Sequence, residues 1–438
     1  MNIYIAHYHL HPGGVTRIIQ SQIKSLKSSP EEISITLLCG DCQNPEMYEN
    51  MGARVVIEPM LNYLYEKDLN NLDLPGLLRK MTVFFTDTLN RGDVLHFHNL
   101  NLGKNPVVTY AVHLLLNKDI KVLNHAHDFA EDRPANWKFL KTIIEEIFQQ
   151  SLREILYPHH KNYHLAVINS FDLERLAGYE IPGNNLHWLP NPVEIPHLPQ
   201  VKTKHEIKEK VHTKLHVDNS KKLITYPVRA IRRKNIGELI LLSILFKDAQ
   251  WSITQAPKNP QEIPEYEKWE NFCSEYNLPV IFEAGEKVNF EDLLIASDFC
   301  ITTSLREGFG MAYLEPWIYE TPVIGRNLKH LTKDFIEKKV EFRGLYDTIM
   351  INFERQQVDF KDIIADNQRI YLKLLIQNEI SSETIFEQNP MLKHLLDEAP
   401  EALIRKNKKA IEENFSLKEY GNKLSQIYQK STGKAGEA

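Results

Sequence analysis

Short apolar runs alternate with amphipathic stretches along this chain, and the whole pattern occurs twice. The runs are four to six residues long and rich in Ile, Val and Leu, as in strands that are buried on both faces. Most are separated by enough chain for a crossover helix. From Val15, for example, the apolar positions 15, 18, 19, 23 and 26 form one helix face. The alternation predicts two doubly wound α/β halves in tandem.

The predicted strands are read directly from these runs. In the first half they are NIYIA (2–6), ISITLL (33–38), ARVVI (53–57), DVLHFH (93–98), IKVLNH (120–125) and HLAVIN (164–169). In the second half they are KLITY (222–226), QWSIT (250–254), PVIF (279–282), SDFCIT (297–302) and PVIG (322–325).

The predicted domain boundary falls in LPNPVEIPHLPQ (189–200), where four prolines in twelve residues oppose helix formation. A lysine-rich stretch follows, and it cannot form a core alone. We expect a first domain over 1–195 and a second over 205–413, the latter helical and without strands from about 345. The last segment, 414–438, is predicted as a helix with Ser416 as N-cap and Glu419 completing a capping box.

Composition excludes several classes of protein. The 52 basic and 58 acidic residues give a net charge of −6, which offers no electrostatic footprint for nucleic acid. No window has the roughly 18 uncharged apolar residues of a transmembrane helix, and the first residues do not resemble a secretory signal. The four cysteines, including the CxxC pair Cys39 and Cys42, are expected as reduced thiols. We therefore expect a cytoplasmic protein.

Two segments that follow predicted strands are suited to phosphate. PGGV (12–15) places Gly13 and Gly14 at the start of a helix, where backbone N–H groups attract anions, although an ordinary tight turn has the same sequence. YPVRAIRRKN (226–235) carries four cations beyond a strand end, which suits a diphosphate. A solvated basic loop is the alternative for the second segment.

The segment TSLREGFGMAYLE (303–315) carries the strongest signal. Gly308 and Gly310 indicate a loop that opens a helix, with Glu307 in the loop and Glu315 about one and a half turns into the helix. A carboxylate at the second position can accept bonds from ribose hydroxyls, and one in the loop can hold sugar hydroxyls. Without further support, two glutamates around a glycine turn would be solvated surface.

With these motifs in order, the chain resembles the retaining, nucleotide-sugar-dependent glycosyltransferases of the GT-B fold, family-four type. The EGFG loop with seven residues between its two glutamates carries the resemblance. The other matching positions are Gly13-Gly14, His127-Asp128, Asn191-Pro-Val, and Arg229 with Lys234 five residues on. The terminal NFS helix is also similar to the family. The resemblance covers residues 13–315 and the final helix.

Three positions depart from the family pattern. Asn235 replaces a glycine after the lysine, and Glu320 replaces a glycine before Thr-Pro-Val. The segment GRNL (325–328) is not the usual glycine-rich continuation. These departures affect the identity of donor and acceptor more than the chemistry.

The resemblance implies two Rossmann-like domains facing each other across a cleft, with the C-terminal helix returning to the first domain. The donor would lie on the second domain, with Glu315 on the ribose and Arg229 and Lys234 on the diphosphate. Glu307 and His127 would hold the transferring sugar. The remaining donor contacts would come from Gly13, Gly14, Gly308, Phe309 and Gly310, and the acceptor, a carbohydrate or small hydroxylated molecule, would bind the first domain.

The implied reaction is transfer of a hexosyl unit to an acceptor hydroxyl with retention, by same-face attack assisted by the leaving phosphate. Fixed cations on the diphosphate can replace a divalent metal, so we expect no metal and no cofactor. The alternatives are a GT-B sugar-nucleotide epimerase, a glycoside phosphorylase, or a non-catalytic nucleotide-sugar sensor. The sequence does not identify the base, the sugar or the acceptor.

Two further patterns have competing interpretations. The HxH pairs at strand ends, His96 with His98 and His125 with His127, have spacing that metal sites use, but no DxD or HExxH motif accompanies them. We expect these histidines to line the interdomain cleft instead. The amphipathic stretch Phe139–Leu156 is predicted to be a helix packed on the sheet, because both charge signs on its polar face disfavour a membrane-surface helix.

Overall fold

The structure of the protein, a computed structural model, describes residues 1–28, 32–179, 181–196 and 201–432, without the side chains of 70, 71, 201 and 202. It divides the chain into two units. The first is Met1–Glu194 together with the chain from Phe415 on, and the second is Ile195–Asn414. Residues 197–200 of the proline-rich stretch and 433–438 of the predicted C-terminal segment lie outside the described residues.

The first unit is built on a parallel sheet. Its strands are β1 (Asn2–His7), β2 (Ser34–Cys39), β3 (Ala53–Ile57), β4 (Val94–His98), β5 (Lys121–Ala126), β6 (Tyr163–Val167) and β7 (Leu186–Trp188). Their order is β3-β2-β1-β4-β5-β6-β7, and Ile3 pairs with Ile35 on one side and Val94 on the other. All six predicted strands are confirmed. The three-residue β7 was not predicted, because its run is too short to stand out.

Helices connect these strands on both faces of the sheet. They are α1 (Gly14–Lys27), α2 (Pro45–Asn50), α3 (Leu74–Thr88), α4 (Pro106–Leu115), α5 (Pro134–Lys141), α6 (Leu152–Leu156) and α7 (Ser170–Ala177). The prediction of one continuous helix over Phe139–Leu156 is wrong. A π-helical turn follows α5 at Thr142–Ile147, and Gln149 then adopts a left-handed φ of +55°, which ends the helix. Ile143 and Ile144 are fully buried in the core of this unit.

The second unit repeats the architecture. Its strands are β8 (Lys222–Arg229), β9 (Ala249–Gln255), β10 (Val280–Ile281), β11 (Phe299–Thr302), β12 (Val323–Arg326), β13 (Gly344–Tyr346), β14 (Met350–Phe353) and β15 (Gln356–Asp359). The first six form a parallel sheet in the order β10-β9-β8-β11-β12-β13. In both sheets the order therefore runs outwards in two directions from a central pair of strands, as the doubly wound prediction requires.

The helices of the second unit include most of the chain after residue 360. They are α8 (Val201–Leu215), α9 (Ile236–Leu245), α10 (Ile263–Glu275), α11 (Ala284–Lys287), α12 (Phe290–Ala296), α13 (Glu315–Ile318), α14 (Lys329–Glu337), α15 (Ala365–Ile376), α16 (Ser382–Gln388) and α17 (Glu401–Phe415). The lysine-rich α8 packs Val211 and Leu215 against α12. No helix of the described residues combines the length and apolar character needed to cross a bilayer.

The prediction of an entirely helical segment from about 345 is wrong. β14 and β15 form an antiparallel hairpin whose turn residues, Glu354 and Arg355, both have positive φ (+48° and +65°). A two-residue turn of this kind usually contains Asn-Gly or Asp-Gly. Because this turn has Glu-Arg instead, the sequence did not indicate a hairpin here.

Arg326 explains one departure from the family pattern. It lies at the end of β12, is 2% exposed, and its Nη2 donates to Glu238 Oε2 (2.5 Å) and Asp359 Oδ1 (2.8 Å). The Tyr346 hydroxyl donates to Glu238 Oε1 at 2.8 Å. The arginine thus ties α9 and the hairpin to the sheet, a role that a glycine-rich segment could not perform.

The last helix, α18 (Leu417–Thr432), packs against α1 and so belongs to the first unit, as predicted. Val193 forms a parallel bridge with Ser416, and its N–H donates to the carbonyl of Phe415 at 2.7 Å. Ser416 Oγ accepts the N–H of Glu419 at 3.4 Å, which confirms Ser416 as the N-cap.

The other two departures replace glycine with residues in the left-handed region. Asn235 has a φ of +52°, and its side-chain amide donates to Glu238 Oε2 at 2.9 Å. Glu320 has a φ of +66°, and its carboxylate pairs with Lys204 and with Lys408 (3.3 Å). Asparagine tolerates this conformation, whereas it costs a glutamate about 1–2 kcal/mol.

We expect Glu320→Gly to be more stable than Glu320→Ala by about 1 kcal/mol, because both variants lose the ion pairs but only glycine relieves the backbone strain.

Glu413 in α17 is the matched control, because its backbone is helical. At this position the alanine variant should be more stable than the glycine variant by about 0.8–1 kcal/mol. Urea unfolding of the four variants measures both differences. The same order at both positions would contradict the strain argument.

Candidate functional site

The carboxyl ends of β8 and β11 lie side by side where the strand order of the second sheet reverses. Ligands of open α/β sheets bind in the crevice at such a point, because the loops from the two strands diverge to opposite faces. The loop after β8 and the loop after β11 carry the residues predicted for the second domain. The structure brings these two loops together.

Hydroxyl groups hold the two loops in register. Thr303 Oγ1 donates to the carbonyl of Lys234 at 2.9 Å. The Tyr226 hydroxyl lies 3.1 Å from the same carbonyl and 2.6 Å from Ser304 Oγ. Because Tyr226, Thr303 and Ser304 are all buried, these bonds fix the positions of Lys234 and Glu307.

Glu307 is the centre of the charge arrangement. Its side chain is 10% exposed, pairs with Lys234, and accepts from Arg233 Nη1 (2.8 Å) and Ser304 Oγ (2.6 Å). Burial raises the pKa of this carboxyl, but the two cations outweigh burial and the net shift is downward. Burial lowers the pKa of Lys234, which Glu307 opposes. The site therefore holds an ionised glutamate against two cations.

The loop after β8 carries more positive charge than Glu307 neutralises. Arg229 and Arg232 are exposed, and no carboxylate of the described residues forms an ion pair with either. Arg229 Nη2 donates only to Gln255 Oε1, at 3.4 Å. Four cations within six residues, with one carboxylate, leave a surplus that suits a polyanionic ligand such as a diphosphate.

The glycine loop after β11 turns sharply before the next helix. Gly310 has a φ of +86°, and a Cβ there would lie 2.9 Å from the ring of Tyr313. Phe309 is 5% exposed and its ring packs on Phe335 (5.5 Å between centroids), so the ring anchors the loop to the core. Glu315 does not lie inside a helix as predicted. It is the buried first residue of the one-turn α13, because a 3₁₀ turn at Met311–Tyr313 intervenes.

Gly13 and Gly14 lie in the first unit, at the N-terminus of α1 after the carboxyl end of β1. A Cβ on Gly13 would find its nearest atom 3.8 Å away, and one on Gly14 would find nothing within 4 Å. The space over this helix N-terminus is therefore open, as the prediction of a close ligand approach requires.

A cluster of buried histidines lies behind this loop. His7, His96, His98, His125 and His127 come from β1, β4 and β5 or directly follow them, and all are at most 9% exposed. Burial lowers the pKa of His96 and of His127 to about 3. These imidazoles are neutral at pH 7.

Gln22 of α1 fixes the tautomers on one side of the cluster. Its Nε2 donates to His96 Nδ1 and to the Tyr428 hydroxyl, both at 2.9 Å. Since His96 Nδ1 accepts, its proton is on Nε2, which donates to His125 Nδ1 at 3.2 Å.

The same amide fixes the other side. Gln22 Oε1 accepts from His98 Nε2 at 2.8 Å, so His98 Nδ1 must accept, and it does so from His127 Nε2 at 2.9 Å. His127 therefore keeps an unprotonated Nδ1, which can accept a hydrogen bond from a ligand hydroxyl. The Asn99 side chain accepts from the N–H groups of His127 (2.7 Å) and Asp128 (3.1 Å) and holds this strand end in place.

The nitrogen atoms of His96, His98 and His125 lie within 4.8 Å of one another, a spacing that could hold a metal ion. Most of these nitrogens already take part in the hydrogen bonds to Gln22, Tyr428 and the neighbouring imidazoles. His125 Nε2 alone has no partner in the described residues. The prediction that no metal binds here stays a prediction.

Three residues of these networks were not assigned from sequence. Arg233 stands among the four predicted cations, but only the structure shows that it contacts Glu307. Ser304 was quoted in the motif without a role. Gln22 occupies a position on the apolar face of α1, three residues after Ile19 and four after Ile18. A polar residue on that face could have indicated a buried side chain with hydrogen-bond partners in the core.

The sequence is similar to one curated synthase over most of its length. It is 31% identical over 378 residues to the mannosylglucosyl-3-phosphoglycerate synthase of Petrotoga mobilis, which covers 82% of this chain and 70% of that protein. A scan against protein-family models finds no match.

Solved structures share the fold. The sucrose-phosphate synthase of Thermosynechococcus elongatus has a TM-score of 0.62 at 14% identity, over 99% of this chain and all of that one. Anabaena HepE, solved in complex with UDP-glucose, has a TM-score of 0.59 at 11% identity, over 97% of this chain and 98% of that one. Both similarities span the two units, which confirms the predicted two-domain fold class.

The histidine cluster predicts an acid-labile first unit. The five histidines take up protons on unfolding once the pH falls below about 6.5, whereas His96 and His127 resist protonation in the folded state down to about 3. Stability should therefore be constant above pH 7 and fall by about 5 kcal/mol between pH 6.5 and 5.5. Hydrogen exchange of the β4 and β5 backbone amides measures this change in the free energy of unfolding. Unchanged protection at pH 5.5 would contradict burial of neutral imidazoles.

Proposed function

The chain belongs to the family-four type of GT-B glycosyltransferases, and we propose that it moves a hexosyl unit from a nucleotide-diphosphate sugar to an acceptor hydroxyl with retention and without a metal. The observation that carries the proposal is the surplus of cations beside a buried, ionised Glu307 at the point where the strand order reverses. A diphosphate complements the cations, and sugar hydroxyls complement the carboxylate.

Each predicted donor contact has a role in this proposal. Arg229 and Lys234 bind the diphosphate, Glu315 the ribose, and Glu307 the hydroxyls of the transferring sugar. The backbone of Gly308, Phe309 and Gly310 follows the donor closely, and Gly13 and Gly14 leave open space for it. His127 accepts a hydrogen bond from the sugar at Nδ1. Arg233, which the sequence did not single out, joins Lys234.

The cations account for rate as well as binding. Breaking the anomeric bond leaves negative charge on the diphosphate, so a fixed cation stabilises the transition state more than the ground state. Lys234 is already held by Glu307 and by the hydroxyls behind it, so little reorganisation is needed when this charge develops. This arrangement supports catalysis without a divalent ion.

Retention is proposed to follow from attack on the same face as the leaving phosphate. The carboxylate nearest the proposed sugar position, Glu307, accepts from three donors and has a lowered pKa, which makes it a weak nucleophile. A double displacement through Glu307 is therefore disfavoured. Product NMR tests this, because the anomeric coupling constant reports the configuration.

On the acceptor side we propose a small anionic glycoside. The similar Petrotoga protein is named as a synthase of mannosylglucosyl-3-phosphoglycerate, a product with both carboxylate and phosphate groups. The proposal for this chain is an acceptor of the same class, a glycoside of glycerate or phosphoglycerate. Mass spectrometry of reactions with each acceptor and several nucleotide-sugars identifies the product.

Kinetics on three variants test the donor site. Lys234→Ala should lower kcat about 10²–10³-fold with the fold intact, since it removes a preorganised charge contact. Glu315→Gln should mainly raise the donor KM, because ribose contacts are equal in the ground and transition states. Glu307→Gln should lower kcat as well. Lys268→Ala, on the exposed face of α10, is the control. Near-wild-type parameters for both glutamate variants would remove them from the site.

Transfer should survive dialysis against EDTA, because cationic side chains stabilise the diphosphate in place of a metal. Elemental analysis of the dialysed protein checks that the histidine cluster carries no ion. Loss of transfer on chelation with recovery on adding magnesium or manganese would overturn the metal-independent mechanism.

A further inference from the structure

A separate group of side chains lies at the carboxyl edge of the first sheet. Tyr63 comes after β3, Lys104 after β4 and Arg133 after β5. Because the strands are parallel, all three follow the same edge, where ligands of open α/β sheets bind. None of the three is part of the donor site proposed above.

The segments that carry Tyr63 and Lys104 are joined by backbone hydrogen bonds. The N–H of Leu64 donates to the carbonyl of Lys104 at 2.9 Å. The Asn105 side chain donates to the carbonyls of Asn62 (2.7 Å) and Met60 (3.0 Å). These hydrogen bonds therefore fix the position of Lys104 beside Tyr63.

Lys104 is a half-buried cation that packs over an aromatic ring. Its Nζ lies 5.4 Å from the centroid of Tyr63, and no carboxylate of the described residues forms an ion pair with it. Burial lowers its pKa and the nearby Arg133 lowers it further, while the carboxylate of Asp128 opposes both. A cation partly removed from water and without a counter-ion is costly unless an anionic ligand completes it.

The surrounding charges leave one positive charge in surplus. Arg133 pairs with Asp128 at 2.9 Å, which balances that cation. On the other side, the ring of His9 lies 4.9 Å from Tyr63, and burial lowers the pKa of His9, so it is neutral at pH 7. Lys104 and Arg133 share the single carboxylate of Asp128, so the two cations together leave one positive charge, which matches one anionic group.

We infer that Lys104, over Tyr63 and beside Arg133, binds the anionic group of the acceptor, a carboxylate or a phosphate. That the anion belongs to an acceptor rests on the proposed function, whereas the anion-binding subsite itself rests on the geometry alone. Lys104 supplies up to three N–H donors, and Arg133 adds long-range attraction while it remains paired with Asp128. The subsite selects small hydroxylated acids over neutral polyols.

Calorimetric titration tests the subsite without catalysis. The probes are D-glycerate, which has only a carboxylate, sn-glycerol 3-phosphate, which has only a phosphate, and glycerol. We expect one or both anions to bind and glycerol not to bind. Lys104→Gln should lower the affinity for the anion about 10- to 100-fold, which corresponds to the loss of one hydrogen bond to a charged group. Lys104→Arg should retain most of the affinity.

Lys118→Gln is the matched control, since it makes the same charge change in the turn that precedes β5, at the opposite edge of the sheet. It should bind the probes as the wild type does. Equal affinity of the wild type and Lys104→Gln for both anions, or no binding of either anion to the wild type, would overturn the subsite. Whichever anion loses affinity identifies the group that the subsite recognises.

Steady-state kinetics separate this inference from the proposed function. Lys104→Gln should raise the acceptor KM at least tenfold while donor KM and slow donor hydrolysis stay unchanged. A lowered donor affinity would place the residue elsewhere and overturn the subsite. If the probes bind at Lys104 but no acceptor is glycosylated, the subsite stands and the proposed transfer fails.

Discussion

The parallel pairing of β8 with β11 is the constraint on which the second unit depends. The two strands are 70 residues apart in sequence, and only their adjacency brings the cations after one to the glutamate after the other. The hydroxyls of Tyr226, Thr303 and Ser304 convert this adjacency into a fixed geometry. The Lys234–Glu307 pair is costly to bury, so its value lies in holding charge ready for a ligand rather than in stability.

The first unit uses the same strand order for a different purpose. Beside the Arg133–Asp128 pair, its carboxyl edge carries neutral imidazoles, and one amide, that of Gln22, directs the protons of His96 and His98. The loop cations of the second unit suit a polyanion, whereas the first unit offers hydrogen-bond acceptors such as His127 Nδ1.

Much of this could be predicted from the sequence, and the limits have physical causes. Strands such as NIYIA and KLITY were identified because parallel strands buried on both faces are continuous apolar runs. The hairpin at 350–359 was missed because its strands are short and its turn lacks the glycine that marks such turns. The motif glutamates and cations were located, but the Arg233–Glu307 contact depends on a side chain crossing between two loops. The two positions where the family pattern has glycine, 235 and 320, adopt left-handed backbone in this chain with asparagine and glutamate, which the sequence alone did not reveal.

The packing of α18 on α1 has a consequence for synthesis. Tyr428 donates its hydroxyl to the His96 network, and Tyr420, Leu424 and Ile427 complete the core beneath β1. These residues leave the ribosome after the whole of the second unit. Most of the first unit is therefore synthesised before the second, but its core is not complete until α18 has been made, so the second unit has the opportunity to fold first. Until α18 is synthesised, the nascent amino-terminal sheet has α1 on this face but lacks the apolar side chains that complete the core there.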